Sequence, residues 1–305
     1  MITRHVLVCA GGLALGLLAG CTSEELGQTQ PWTSASDISG ALSPDSAPVP
    51  GEVAFTAPMR LRVVTYNVHK GEDVAGLASA ILRNPNLATA DIFLLQEIEH
   101  HPGEGGCRAA RLAALLGMGH VYAPERLQGD GTHGTAILSR YPLENPRVMA
   151  LPQADLVGSG TRRIALYVEA VIGSLRLHLV DVHLDTRLNA TDRILQLRPA
   201  VLDTPWPTVV AGDLNTNPYL WADSFIPQLA VGSVADSDQA PVLDDYMRHI
   251  DFTTPTARLG ATWSGVVDAR LDAIFTRGVT AIPGAVERSV TMSDHWPVWV
   301  DIVLP

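Results

Sequence analysis

The sequence predicts an α/β domain built on mixed β-sheets, and three observations carry the prediction. Eight short runs are apolar and mostly β-branched, the composition of buried strands. Two stretches, 73–83 and 188–202, space their apolar residues as one face of a helix. Two of the strand-like runs adjoin at Ile172-Gly173-Ser174, a connection that only a hairpin can make, so the sheets are not purely parallel.

The 305 residues, 47% hydrophobic and 17% charged, have an ordinary globular composition, long enough for a large core. Residues 1–20, "MITRHVLVCAGGLALGLLAG", read as a signal peptide: a basic start, an uncharged apolar run and a small-residue exit. The ending "LAGC" resembles the lipobox of bacterial lipoproteins, which would make Cys21 the lipidated first residue of the mature chain. A plain secretion signal or a retained anchor helix is the alternative, although the run is short for a membrane span. Residues 21–57 are rich in Ser, Thr, Pro and Gly with only acidic charges, the composition of a flexible tether. Residues 58–305 show no repeat and no second linker, and are expected to form one domain. Of the net charge of −11, −7 falls on this domain. An acidic surface grips long duplex nucleic acid poorly. With Cys9 leaving in the signal and Cys21 lipidated, Cys107 stands alone, which excludes a disulfide framework.

In order, the strand-like runs are 61–67, 91–97, 134–139, 162–172, 175–184, 207–215, 270–276 and 297–303. In the second helical stretch Leu188, Ile194, Leu195, Leu197 and Val201 would form the buried side. Strand periodicity then places polar residues at the ends of apolar faces. Val63 and Thr65 lead to Asn67; Phe93 and Leu95 to Glu97; Leu177 and Leu179 to Asp181 and His183; Val209 and Ala211 to Asp213 and Asn215. Asp272 shares a face with Ile274. In "TMSDHWPVWVDI" alternation sets Asp294 with Val298, Val300 and Ile302, and His295 with Trp299. Each has a bland explanation alone: Asn67 as a turn cap, Glu97 as a solvated strand end, "GDLNTNP" as a turn, His183 as the partner of a carbonyl. Repetition on five strands argues instead for convergence, since unpaired polar groups are costly to bury.

If they converge, an oxygen-rich set without cysteine suits Mg²⁺ or Mn²⁺. His183 and His295 are then left for proton transfer or for contact with an anionic oxygen. Such a set fits hydrolysis of a phosphate ester.

At these residues the chain resembles the endonuclease/exonuclease/phosphatase superfamily, the deoxyribonuclease I-like fold. The segments "LRVVTYNVHKG", "DIFLLQEIE", "HGTAILSRYPL", "DVHLDT", "VVAGDLNTNP", "RLDAIFTRG" and "MSDHWPVWVDI" follow in the family's order across residues 61–303. The resemblance implies a four-layered α/β sandwich, two mixed β-sheets face to face with helices outside. It implies Glu97 as principal metal ligand with Asn67 beside it and Asp294 as a further metal contact. Asp213 would orient or deprotonate water and Asn215 hold a phosphate oxygen. His183 and His295 would flank the scissile phosphate, with Asp272 holding the His295 ring.

Arg162 and Arg163 are candidate substrate contacts, against the bland reading of solvated strand arginines. His69 and Lys70 are expected at the rim and Tyr122 in the core. "EHHPGEGG" (99–106) is expected to be a polar loop, and Trp221, Tyr246 and Trp263 are possible contacts in a variable region. The expected protein is a monomeric metal-dependent phosphoesterase, tethered to the cell envelope. Its substrate would be a nucleic acid, a phospholipid headgroup or a smaller ester. A surface binding protein that keeps the fold without catalysis is the second reading. A serine hydrolase through Ser293 is a distant third, because G-x-S-x-G is absent.

Overall fold

The computed structural model describes residues 58–304 apart from 154–161, 223–225, 230–237 and 266–267. The expected signal peptide, the tether and Cys21 lie outside the described residues. Among the described residues there are thirteen strands: β1 (Met59–Lys70), β2 (Ile92–His100), β3 (Gly119–Gln128), β4 (Gly131–Ser139), β5 (Leu143–Ala150), β6 (Ile164–Ile172), β7 (Leu175–His183), β8 (Thr208–Asp213), β9 (Tyr219–Ala222), β10 (Ile226–Leu229), β11 (Asp272–Arg277), β12 (Thr280–Val286) and β13 (Val298–Leu304). The helices are α1 (Val74–Arg83), α2 (Arg108–Leu116), α3 (Ala190–Val201) and α4 (Gln239–His249).

Two mixed sheets result, ordered β12-β13-β1-β2-β4-β3 and β11-β8-β7-β6-β5, beside a small β10-β9 pair. Three apolar clusters separate four layers. Leu61, Val63, Leu94, Leu177, Val209, Ile274 and Val300 pack between the sheets. Leu77, Ile81 and Leu112 of α1 and α2 pack on the first sheet against Phe93 and Leu95. Leu197, Val201, Leu243 and Met247 of α3 and α4 cover the second. This is the four-layered sandwich that the sequence resemblance implied.

In each sheet one pair is parallel, β1 with β2 and β7 with β8. Their C-terminal ends lie together, and the N-terminal ends of the antiparallel β11 and β13 adjoin them. Six strand ends therefore frame one mouth of the gap between the sheets. The hairpin is as expected, with Ile172 opposite Leu175 and Gly173 at φ 58.

Some elements differ from the sequence reading. Five strands were not anticipated: β9 and β10 form the small pair, and β3, β5 and β12 are edges of the two large sheets, each carrying a proline and a register shift. Pro124, Pro146 and Pro283 break the apolar pattern there, and bulged, proline-bearing edges resist pairing with other chains. On α3, Leu195 is exposed at 52%, while the helix buries Arg193, Gln196, Leu197, Ala200 and Val201. The buried Arg193 donates to the carbonyl oxygens of Leu188 (2.7 Å) and Leu214 (2.8 Å), which rotates the inner face away from Leu195.

Gly212 immediately precedes Asp213 and has φ 151, and a Cβ there would lie 1.8 Å from the Val182 carbonyl oxygen. Only glycine lets β8 lie this close to β7. Gly212→Ala should cost about 3 kcal/mol of stability, read as a fall in the urea midpoint at unchanged m-value.

Candidate active site

Asn67 on β1, Glu97 on β2, His183 on β7, Asp213 on β8, Asp272 on β11 and His295 before β13 meet at this mouth. Asn67 Oδ1 accepts the His69 N–H at 3.1 Å, so Nδ2 turns inward. It donates to Glu97 Oε1 at 2.9 Å and Asp213 Oδ2 at 3.1 Å. Asn67 was expected to be a metal contact. Asn67 stands beside Glu97, where that expectation puts it, and its two amide N–H groups tie two carboxylates from opposite sheets.

Glu97 departs from the alternation expected of it. Phe93 and Leu95 face the helices, yet Glu97 has φ 59 and turns into the gap. Leu95 pairs with Ala136 and Ile98 with Gly134, so Gln96 and Glu97 together oppose Thr135. This β-bulge swings the carboxylate to the site, and Ile98 then returns to the helical side. Burial would raise the Glu97 carboxyl, but His133 and the Asn67 amide hold it well below the usual range.

The two histidines are held in opposite ways. His295 Nδ1 lies 2.9 Å from Asp272 Oδ2, which also accepts from Thr262 Oγ1 at 2.6 Å. Burial opposes the imidazolium, but Asp272 and Asp213 outweigh it and push His295 up to about 10. His183 Nδ1 instead lies 3.1 Å from Arg163 Nη1. A guanidinium only donates, so Nδ1 must be the acceptor and the proton sits on Nε2. Burial and the Arg163 charge hold His183 well below its ordinary value, a neutral ring. Its Nε2 is 3.6 Å from Asp213 Oδ2 and 3.8 Å from Glu97 Oε1. Burial, and then the Asp272 charge, raise the Asp213 carboxyl against the pull of His295.

Arg163 is accordingly not placed as a substrate contact. It is buried, with Nη1 3.1 Å from Glu125 Oε1 and Nε 3.1 Å from Asp185 Oδ1. Arg162 is half-buried beside it. Asn215 gives one Nδ2 proton to the Leu184 carbonyl at 2.8 Å, while its N–H holds Asp213 Oδ1 at 2.8 Å.

Residues 292–294 bend and His295 makes only an isolated bridge with Trp263, so the parity expected of a continuous strand fails there. His295 points into the gap towards Asp213 and Asp272, whereas Trp299 packs on the helical side under Arg62. Asp294 takes the Trp263 Nε1–H at 3.2 Å. Its Oδ1 is 3.7 Å from His69 Nδ1, which is itself 4.0 Å from Glu97 Oε2. His69 thus lies between the two carboxylates, while Lys70 adjoins it with φ 71.

The remaining residues divide clearly. Tyr122 is buried, with its hydroxyl 2.8 Å from Thr132 Oγ1. In the 99–106 stretch, expected as a polar loop, Glu99 and His100 instead belong to β2, and His101 bridges Glu99 (2.9 Å) and Asp130 (2.8 Å). Trp221 is bonded to Asn217 and Tyr246, on α4, packs against the cluster that covers the second sheet, so of the three aromatics Trp263 alone touches the site. The sequence reading gave no role to His133, 3.8 Å from Glu97 and 3.7 Å from Glu125, or to Glu125. Burial would raise Glu125, but the Arg163 charge, the His133 ring and the Arg126 charge together hold it at about 2.

The donor set fits a hard divalent cation. Glu97 and Asp294 are both carboxylates that keep solvent access, 25% and 36%, and approach one imidazole from two sides. The other acids, Asp213 and Asp272, are buried and engaged by histidine.

Comparison with known proteins places the chain in a family. The family model "Endonuclease/Exonuclease/phosphatase family" matches residues 64–295. YbhP of Escherichia coli K12, an uncharacterised protein, is 29% identical over 178 residues, covering 52% of this chain and 68% of its own. An endonuclease/exonuclease/phosphatase from Beutenbergia cavernae superposes with a TM-score of 0.63 at 23% identity, covering 80% of this chain and 72% of that one. A family protein from Leptotrichia buccalis gives 0.59 at 17%, covering 79% and 99%. Humanized D. rerio TDP2 gives 0.54 at 18%, covering 80% and 98%. The chain belongs to the endonuclease/exonuclease/phosphatase family, metal-dependent hydrolases of phosphoester bonds.

Proposed function

We propose that the protein hydrolyses a phosphodiester by direct attack of water, with Mg²⁺ or Mn²⁺ held by Glu97 and Asp294. One observation carries the proposal: solvent-reached Glu97 and Asp294 flank His69, and Asn67 joins Glu97 to a buried Asp213 set between two oppositely protonated histidines. The cation supplies Lewis-acid stabilisation of charge building on the phosphate oxygens.

The chain's own residues do the rest. Asp213, its carboxyl raised by burial, orients the water and accepts its proton. His183 donates from Nε2 to a non-bridging oxygen and, as a neutral ring, does not exchange protons. His295 carries the proton that meets charge on the leaving oxygen, and Asp272 fixes its ring. Asn215 offers its second Nδ2 proton to phosphate. The acidic domain favours small or lipid-headgroup diesters over long duplexes. The lipobox-like "LAGC" supports export and anchoring at the envelope through Cys21, with the domain working as a monomer.

The full chain is to be assayed on bis-p-nitrophenyl phosphate, sphingomyelin, RNA and plasmid DNA with Mg²⁺, Mn²⁺ or EDTA. Turnover lost in EDTA and restored by either ion is expected. Metal binding without turnover of any ester would instead favour a binding protein. His295→Ala should lower kcat about 10²–10⁴-fold.

His295 has its folded pKa raised, so its stabilising contribution is complete below about 6.5, the unfolded value. It is lost as pH rises through about 10. In EDTA, Asp272→Asn should cost about 2 kcal/mol near pH 6 and progressively less towards pH 10, measured by urea denaturation.

Arg163→Met leaves Glu125 and Asp185 buried without their cation and should cost about 3–5 kcal/mol in the same measurement. Arg163→Lys should restore only part of it, because one ammonium cannot reach all three partners.

A further inference from the structure

Beneath the site, the apolar gap contains four polar side chains that the proposed chemistry does not use. Thr65, Gln96, Thr135 and Asp181 come from β1, β2, β4 and β7, and each is at most 1% exposed. Gln96 Nε2 donates to Asp181 Oδ1 at 2.6 Å, with the Leu94 carbonyl at 3.1 Å and Thr65 Oγ1 at 3.2 Å. Thr135 Oγ1 bonds Asp181 Oδ2 and also lies 2.8 Å from the Leu95 carbonyl.

These contacts fall on the irregularity that aims Glu97. Gln96 is the first residue of the β2 bulge, and Thr135 is the residue that the bulge opposes. A carboxyl from the other sheet therefore binds both sides of the bulge at once. Without that tie, regular pairing would return Glu97 to the helical face that Phe93 and Leu95 share.

Donor counting gives the form of the tie. A hydroxyl has one proton, and the Leu95 carbonyl can only accept. With the Thr135 proton on Leu95 O, the bond between Thr135 Oγ1 and Asp181 Oδ2 needs its proton from Asp181. Burial in the gap likewise raises this carboxyl well above its usual range.

We infer that Asp181 is a positioning residue that locks the β2 bulge through one accepted and one donated hydrogen bond and so aims Glu97 at the cation. The inference rests on Glu97 as the metal ligand proposed above. An asparagine can reproduce both bonds, with its oxygen accepting from Gln96 and its nitrogen donating to Thr135. A leucine reproduces neither.

The test compares the full-length wild type with Asp181→Asn and Asp181→Leu by Mn²⁺ calorimetry and by metal-free amide hydrogen exchange at 95–98, with circular dichroism as the fold control. Asp181→Asn should keep Mn²⁺ affinity within about threefold, and Asp181→Leu should lose about 10–100-fold, the usual cost of removing support behind a ligand. Exchange at Gln96 to Ile98 should quicken in Asp181→Leu alone, with β6 and β13 unchanged. Should Asp181→Leu not fold, Thr135→Val removes one arm isosterically and should quicken the same amides. Wild-type affinity and exchange in a folded Asp181→Leu or Thr135→Val would overturn the inference, as would Asp181→Asn being as impaired as Asp181→Leu. Absence of Mn²⁺ binding in the wild type would sink the metal reading instead, and the exchange measurement would still decide whether Asp181 holds the bulge.

Discussion

The gap between the two sheets can stay dry only if the charged groups at its mouth satisfy one another. Asn67 bridges Glu97 and Asp213 across the sheets, Asp272 holds His295, and Arg163 serves Glu125, Asp185 and His183 together. Remove these pairings and the strand ends that carry them have no reason to meet, since each would be a buried charge without a partner. Packing between the sheets and electrostatics at their mouth are one constraint, seen from two ends of the same strands.

That constraint sorts similar groups into different states. Two imidazoles share one pocket, yet a carboxylate behind His295 and a guanidinium behind His183 give them opposite proton inventories. Two kinds of carboxylate arise likewise: Glu97 and Asp294 keep contact with solvent, while Asp213 and Asp272 are enclosed. The identity of the residue behind each group sets its chemistry more than the identity of the group itself.

Much of this was legible in the sequence, because strand alternation is a strong signal where strands are regular. Val209, Ala211 and Asp213 on one face, and Leu177, Leu179, Asp181 and His183 on another, stand as the period of two requires. The failures occur where the period breaks. Glu97 sits in a bulge, His295 just after a bend, and three edge strands carry prolines. His133 was within reach: it shares a face with Thr135 and Ile137, but the strand was begun one residue later, at Gly134. Glu125 continues the face of Val121 and Ala123 on β3, which Pro124 hid from a propensity reading. Partnerships between distant residues, such as Arg163 with His183, leave no local pattern to find.

The directions of the strands have a mechanical consequence. β1 enters the first sheet at Met59 and reaches the mouth only at Asn67, so the chain upstream joins the body at the end remote from the chemistry. Any force or attachment acting through that segment pulls on the floor of the sandwich.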